Sequence, residues 1–258
     1  MEFYLVSGSV NKKCVFHRNP ILAEGCARMV WESPKGMDEY LRPTELCDCN
    51  DPAIRRRAQE IIKDIGTPKE AALLIFHHVR DRILFALDNL DVKASDTLRK
   101  GFGLCVGKTN LQVALLRSVG IPARYHQVVL SKNCLKGIVS STTFNGTPER
   151  IWWHPWCECY ISGRWMACET LFDKRLYEAC LERGIITREQ IPTIDWDGEN
   201  DVIQVTPWIL EDRGTHHNLD EEFRRAQKEA MPPRIIANML LYFTNRYTNK
   251  LRSRGRVQ

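Results

Sequence analysis

The chain has 258 residues, of which 43% are hydrophobic, and this is enough to bury one sizeable core. Its net charge of +5 is too small to indicate nucleic-acid binding by itself. No apolar stretch is long enough to span a bilayer, and the apolar run that ends at Val6 is too short for a signal peptide. Without an export signal, the ten cysteines predict reduced thiols and a cytoplasmic location.

The first part of the chain predicts an irregular arm followed by two helices. Residues 1–50 are interrupted by prolines and predict an arm that packs on the core. An N-cap residue followed by proline opens each helix. Asp51 starts a helix that runs to about Asp64, and Thr67 starts a second helix that reaches the Leu87 region.

The segment from Gly101 to Cys105 precedes a strongly patterned helix. Apolar residues recur at helical spacing over residues 106–119, and Gly120 ends the helix. Cys105 is therefore predicted at a helix N-terminus, where unpaired backbone N–H groups and the positive end of the helix dipole favour a thiolate over a thiol. Because the thiolate is the species that attacks carbonyl carbon, Cys105 is the candidate nucleophile.

A β-hairpin that begins at His154 supplies the candidate base. Aromatic and β-forming residues fill both strands, and Ser162-Gly163 forms a two-residue turn between them. This turn sets Trp156 opposite Glu169 and makes Glu169 a diagonal neighbour of His154. The predicted register thus supplies a carboxylate to orient the imidazole, whereas a slip of one residue would move Glu169 to the opposite face.

Two blocks of this sequence resemble the transglutaminase-like superfamily. The block similar to that family's nucleophile region comprises residues 103–111, 114–117 and 120–125, and the block similar to its histidine region comprises His154, Trp156, Glu158 and residues 163–165. The run 71–83 is similar to the helix that precedes the nucleophile in that family. The resemblance implies an α+β, papain-like fold in which the nucleophile helix packs on an antiparallel sheet that carries the base.

The resemblance also implies a catalytic triad, with one departure from the family. The family has an Asp after the second hairpin strand, whereas the matching residue here is Glu169, which can orient an imidazole as an Asp does. Asp173 is the alternative and ranks second, because it lies beyond the His154 end of the strand pair. His126 is the alternative base, although it is expected to be a satisfied strand histidine. The expected triad is Cys105, His154 and Glu169.

After the hairpin the sequence predicts helices over 174–183 and 219–230 and a short strand over 202–205. The chain is predicted to be a single domain, 1–258. Its core spans about 71–173, with the N-terminal arm at 1–50 and a helical C-terminal elaboration at 174–258.

A final helix from Pro233 carries an apolar stripe followed by basic residues. The stripe consists of Ile236, Met239, Leu240, Phe243 and Tyr247, and the basic residues are Lys250, Arg252, Arg254 and Arg256. We expect the stripe to dock on the core and the basic tail to be solvated. Attraction to a membrane surface or to nucleic acid is the alternative.

The cysteine pattern does not favour a metal site. Cys47 and Cys49, like Cys157 and Cys159, are separated by one residue, whereas zinc ligands are more often separated by two or more. In the hairpin register Cys157 opposes Cys168 on the face away from the base. This predicts thiols packed behind the sheet, with a disulfide only in an oxidising compartment. No metal and no cofactor are expected, and the oligomeric state is left open.

The sequence therefore predicts a cysteine-dependent acyl-transfer enzyme that acts on a peptide, a protein or a small amide. The resemblance implies a protease, an amidase or a transglutaminase. A non-catalytic transglutaminase-like binding module is one alternative. A biosynthetic condensing enzyme that takes its acyl group from a carrier-bound thioester is the other. Hydrolysis and transfer to an amine are both left open.

Overall fold

The structure is a computed structural model, which describes Trp31 and residues 34–253. Most of the predicted N-terminal arm lies outside the described residues, as do Arg254 and Arg256 of the predicted basic tail. Within the described part, none of the helices is both long and apolar enough to cross a membrane.

Helices and strands are interspersed along the described residues. The helices are α1 Pro52–Ile61, α2 Pro68–Arg82, α3 Ala94–Lys100, α4 Cys105–Ser118, α5 Ser141–Gly146, α6 Lys174–Glu182, α7 Asp220–Ala230 and α8 Arg234–Ser253. The strands are β1 Leu84–Phe85, β2 Phe102–Gly103, β3 Ala123–Ser131, β4 Arg150–Ile161, β5 Arg164–Ala167 and β6 Ile209–His216. β1 and β2 form a parallel pair, and the other strands form an antiparallel sheet in the order β5-β4-β3-β6. The predicted α+β fold is confirmed.

Helices α1 and α2 begin where the sequence predicts. The side chains of Asp51 and Thr67 each accept a hydrogen bond from a backbone N–H of the first turn, at 2.7 and 3.2 Å. Helix α2 ends at Arg82 rather than near Leu87, because the chain leaves the helix to pair β1 with β2.

Helix α4 is buried along its whole length. It contacts α1, α2 and α3 as well as β3 and β4, so it lies between the helices and the sheet. Its long polar side chains donate hydrogen bonds to backbone carbonyls of the surrounding segments. These bonds join Lys108 to Ile83, Asn110 to Val92, Gln112 to Cys168 and Arg117 to Ala123, at 2.6 to 3.1 Å. Because these donors are satisfied, the helix occupies the core without the cost of unpaired polar groups.

The β4–β5 hairpin has the predicted turn and register. Ser162 and Gly163 both have positive φ, 53° and 83°, which is the backbone conformation of a two-residue hairpin turn. Ile161 pairs with Arg164, and the pairing continues to Glu158. The Cys168 N–H extends the same register by donating to the Cys157 carbonyl at 2.9 Å. The even-numbered residues of β4, His154 among them, therefore face away from Cys157.

Several elements differ from the sequence prediction. Strand β6 was not predicted, because its polar sequence lies at the edge of the sheet and shows no alternation of apolar residues. The predicted strand 202–205 is reduced to a single bridge between Val202 and Cys168. Helices α6 and α7 lie within one residue of their predicted bounds.

Helix α8 docks on the core through a face other than the predicted stripe. Its buried residues are Ala237, Leu241, Thr248, Leu251 and Arg252. The stripe residues Ile236, Met239, Leu240, Phe243 and Tyr247 are instead 48%, 56%, 51%, 62% and 42% exposed. The expectation that this stripe packs inward is wrong, because polar anchors set the rotation of the helix. The Thr248 hydroxyl donates to the Ile138 carbonyl at 3.2 Å, and Arg252 forms a buried ion pair.

The partner of Arg252 is Asp173, whose carboxylate joins three elements. It accepts hydrogen bonds from the Leu176 N–H of α6 at 3.1 Å and the Phe85 N–H of β1 at 3.0 Å, and it lies 2.8 Å from an Arg252 nitrogen of α8. Burial alone would raise the pKa of Asp173, but hydrogen bonding and the charge of Arg252 outweigh burial and lower it below the ordinary 3.8. Asp173 therefore stabilises the fold as a carboxylate.

We predict that Asp173→Asn lowers the free energy of unfolding by roughly 3–5 kcal/mol, because the Arg252 charge stays buried without its partner. The stabilisation by Asp173 is present above the ordinary pKa of 3.8 and is lost as pH falls through the lowered pKa of the folded state. Urea unfolding at several pH values measures both effects. Asp96→Asn is the control, because the Asp96 carboxylate forms an exposed ion pair with Arg99. Equal stability of the two variants would contradict the structural role of Asp173.

Candidate active site

Cys105 is the first residue of α4. The chain reaches it from β2 through Leu104, which has no side-chain oxygen to cap the helix, so the first turn receives no cap from that residue. The Cys105 side chain is 5% exposed and forms part of the wall of an internal cavity. The predicted position of this thiol at a helix N-terminus is confirmed, and α4 ends at Ser118 ahead of Gly120, which has φ of 87°.

His154 lies in β4 and contacts Glu169 directly. His154 Nε2 is 2.8 Å from Glu169 Oε1, and the two side chains are 3% and 2% exposed. Cys105 and His154 lie on the wall of the same cavity, and the nearby Cys105 side chain contributes to raising the pKa of the imidazole. The structure thus brings together the three residues that the sequence predicts as a site.

Glu169 is held by a segment that the sequence reasoning missed. The Glu169 N–H donates to the Val202 carbonyl at 2.9 Å, and the Gln204 N–H donates to Oε2 of the Glu169 carboxylate. The Gln204 side-chain amide also donates to the Glu169 carbonyl, at 2.7 Å. Gln204 is fully buried, and the only sequence signal for it is its position in the short strand predicted over 202–205.

The charges around His154 favour its protonated form. Burial alone would lower the pKa of the imidazole, but the neighbouring Cys105 and Glu169 side chains outweigh burial and raise this pKa well above its ordinary value of 6.5. The His154 imidazole is therefore a positively charged group beside the Glu169 carboxylate and on the wall of the cavity that Cys105 also lines.

The cavity next to Cys105 has a volume of about 540 Å³, and we call it the Cys105 cavity. Its wall contains Cys105, His154 and mostly apolar side chains, which include Leu104, Leu130, Ile151, Trp153, Phe172 and Leu241. The hairpin tryptophans Trp156 and Trp165 are not among the lining residues. A ligand in this cavity would therefore face a wall that contains both the thiol and the imidazole.

The structure places the alternative residues elsewhere. Both ring nitrogens of His126 are occupied, since Nδ1 is 2.8 Å from a Glu158 oxygen and Nε2 is 2.8 Å from an Asp212 oxygen. The His126 ring also stacks on Trp156, so the expectation of a satisfied strand histidine is confirmed. The Asp173 carboxylate is used by Arg252 and two backbone N–H groups.

The thiols of the hairpin are buried between the sheet and α4 rather than behind the sheet, since the Gln112 amide of α4 is 3.3 Å from Cys168 Sγ. Cys168 Sγ is 3.9 Å from Cys159 Sγ, and both are free and buried. Among the described residues, no group of three or more His, Cys, Asp or Glu side chains is arranged to hold a metal ion.

Comparison with known proteins identifies the segment that carries this site. Residues 55–170 match the family model described as the transglutaminase-like superfamily, and Cys105, His154 and Glu169 all fall within the match. This segment belongs to the transglutaminase-like superfamily. At the level of the family, this membership supports a cysteine-based enzyme. The transglutaminase-like segment begins upstream of the resemblance seen in the sequence, which started at Ala71. No curated protein matches the chain.

Three solved structures resemble the chain at low identity. A candidate cysteine protease from Cytophaga hutchinsonii is 18% identical with a TM-score of 0.46, and the match covers 75% of this chain and 52% of that one. A candidate protease from Parabacteroides distasonis is 13% identical with a TM-score of 0.34, covering 51% and 24% of the two chains. Red sea bream transglutaminase is 17% identical with a TM-score of 0.32, covering 52% and 26%. The chain thus spans about half the length of the first structure and about a quarter of the other two. Because these values are low, the family assignment depends on the sequence match.

We predict that Glu169→Gln lowers the pKa of His154, because it removes the negative charge that favours the imidazolium. Titration of the imidazole by NMR measures this pKa. Glu158→Gln is the matched control, since Glu158 makes the same 2.8 Å contact with His126. That variant should lower the pKa of His126 and leave His154 unchanged. An unchanged His154 titration in Glu169→Gln would contradict the electrostatic role of this carboxylate.

Proposed function

We propose that the protein is a cysteine-dependent acyl-transfer enzyme that acts on an amide or a thioester, with Cys105 as nucleophile, His154 as base and Glu169 as the group that orients the base. The observation that carries the proposal is the buried 2.8 Å contact between His154 and Glu169, with His154 lining the same cavity as a cysteine at a helix N-terminus. Nucleophilic catalysis at a carbonyl needs these three groups in this order.

The arrangement suggests which nitrogen transfers the proton. Glu169 engages Nε2 of His154, which leaves Nδ1 to exchange a proton with the Cys105 thiol. The thiolate attacks the substrate carbonyl carbon, and the electron pair of the C=O bond moves to oxygen. Backbone N–H groups at the start of α4 stabilise this oxyanion.

Collapse of the tetrahedral intermediate completes the transfer. The imidazolium of His154 gives its proton to the leaving amine or thiol, and the acyl group remains on Cys105 as a thioester. Imidazole then takes a proton from water or from an amine, which attacks the thioester and releases the acyl product. Water gives a hydrolase, and an amine gives an acyltransferase.

The apolar wall of the Cys105 cavity favours a second candidate within the same chemistry. This is an acyltransferase whose acyl group comes from a carrier-bound thioester, since such an acyl group is largely hydrocarbon and matches the lining residues. The two candidates share the nucleophile and the base and differ in the leaving group, so the first test addresses the thiol itself.

We predict that iodoacetamide near pH 6 alkylates Cys105 ahead of the other cysteines. Cys134 is an internal control, because it belongs to the wall of the same cavity. Burial, with the charges of Cys105 and Glu169, raises the pKa of the Cys134 thiol, so it should stay unreacted. Peptide mapping after brief labelling measures both rates. Uniform labelling, or equal labelling of the two thiols, would contradict an activated Cys105 and favour a non-catalytic binding module.

A second prediction concerns the base and its carboxylate. His154→Gln should remove the low-pH reactivity of Cys105, whereas His126→Gln should retain it because His126 lies outside the cavity. Glu169→Gln should reduce turnover by orders of magnitude, as loss of the orienting carboxylate does in triads of this kind. Loss of reactivity in His126→Gln with retention in His154→Gln would reassign the base.

A further inference from the structure

We propose that the Cys105 cavity binds the hydrocarbon chain of a fatty-acyl substrate, with the acyl carbonyl at the Cys105 thiol. This inference rests on the proposed function, in which Cys105 accepts an acyl group, and it names the class of that group. The cavity holds about 540 Å³, and both Cys105 and His154 form part of its wall. A volume of this size accepts a drug-sized group and exceeds what one small side chain would fill.

Apolar side chains from several elements form the wall around the thiol. They include Phe85 of β1, Leu130 of β3, Ile151 and Trp153 of β4, Phe172, and Leu241 of α8. A hydrocarbon chain seated among these residues is removed from water along its whole length, and its binding strengthens with each methylene group.

The polar side chains of the wall below its rim already have partners in the protein. The Thr143 hydroxyl is 2.9 Å from the Ser140 hydroxyl and 3.0 Å from the Thr244 hydroxyl, and the Thr147 hydroxyl donates to the Thr143 carbonyl at 2.8 Å. The Asp88 carboxylate forms an ion pair with Lys100. These side chains offer few free hydrogen-bond partners to the amide groups of an extended peptide, and unpaired buried amides are costly, whereas a hydrocarbon chain needs no partners. The wall therefore favours an acyl chain over a peptide.

The cavity is continuous with the exposed apolar face of α8. Leu240 and Phe243 belong to the wall and are also 51% and 62% exposed. Ile236 and Met239 extend the same face toward the start of the helix. A hydrocarbon chain can therefore pass from the surface to the thiol along apolar side chains.

The first experiment separates binding from chemistry. Cys105→Ala retains the cavity without the nucleophile, and calorimetry measures its affinity for butanamide, hexanamide, octanamide and decanamide. The affinity is expected to rise about fourfold for each added methylene until the chain fills the cavity. The wild-type protein is given the matching N-acetylcysteamine thioesters, and mass spectrometry measures acylation of Cys105.

The outcomes of this experiment distinguish the inference from the proposed function. Length-dependent binding with acylation of Cys105 supports both. Length-dependent binding without acylation by any thioester supports the acyl site and overturns the proposed function. If Cys105 is acylated but either the acylation rate or the affinity for the amides does not increase with the length of the hydrocarbon chain, the acyl site is overturned and the nucleophile stands. If neither acylation nor length-dependent binding is seen, both are overturned.

A pair of glycine variants tests where the hydrocarbon chain of the substrate lies. Gly146 lies on the exposed rim of the cavity, and a Cβ atom there meets nothing within 4 Å. Gly146→Trp should narrow the entrance and abolish the preference for octanoyl over butanoyl thioesters. Gly66→Trp is the matched control, because a Cβ atom at Gly66 also meets nothing within 4 Å and this residue is not part of the wall. Retention of the preference in Gly146→Trp, with circular dichroism unchanged, would overturn the proposed location.

A third experiment identifies the source of the acyl chain. The same octanoyl group is offered as a soluble thioester and as the ester of a phospholipid in phosphatidylcholine vesicles. Acylation of Cys105 from the vesicles supports a lipid donor, and acylation from the soluble thioester alone supports a soluble carrier. If neither octanoyl donor acylates Cys105, although acetyl thioester does, the acyl site is overturned.

Discussion

The burial of helix α4 is the constraint on which the site depends. The helix begins with Cys105 and also holds the segments that carry the other two site residues. The Thr109 hydroxyl donates to the carbonyl of the residue after His154 at 3.2 Å, and the Gln112 amide donates to the carbonyl of the residue before Glu169 at 2.9 Å. The thiol, the imidazole and the carboxylate therefore lie on one hydrogen-bonded unit in the core. A change in the packing of the helix on the sheet would change the distance between the Cys105 thiol and the His154 imidazole, so the stability of this interface and the geometry of the candidate site are coupled.

Glu169 and Asp173 lie close together in the sequence but contact different parts of the protein, because the strand pairing of the hairpin ends between them. The hairpin register continues past Ala167 to Cys168, whose N–H donates to the Cys157 carbonyl, whereas Asp173 is already the N-cap of α6. Glu169 faces the imidazole of the sheet, whereas Asp173 caps the next helix and neutralises a buried arginine. Both carboxylates are buried, but the charge of Glu169 acts on the His154 imidazole and the charge of Asp173 acts on the buried guanidinium of Arg252.

The parts of the site that the sequence predicts are those fixed by local chemistry. A two-residue turn at Ser162 and Gly163 sets the hairpin register, and that register places Glu169 beside the base. The support from Gln204 was not predictable, because it depends on a loop that returns from a distant part of the sequence. The inward face of α8 also escaped prediction. Its rotation is set by the buried Arg252 pair rather than by the most apolar stripe, and long-range ion pairs leave no periodic signal in a sequence.

The thiols buried between the hairpin and α4 have a kinetic consequence. Cys159 and Cys168 lie 3.9 Å apart with no exposed surface, so a reagent reaches either sulfur only when the hairpin opens locally. Their modification rate is then set by the free energy of that opening rather than by the intrinsic reactivity of the thiol. The modification rates of Cys159 and Cys168 therefore report local unfolding of the hairpin. They can be measured in the same protein sample and with the same reagent as the rate for Cys105.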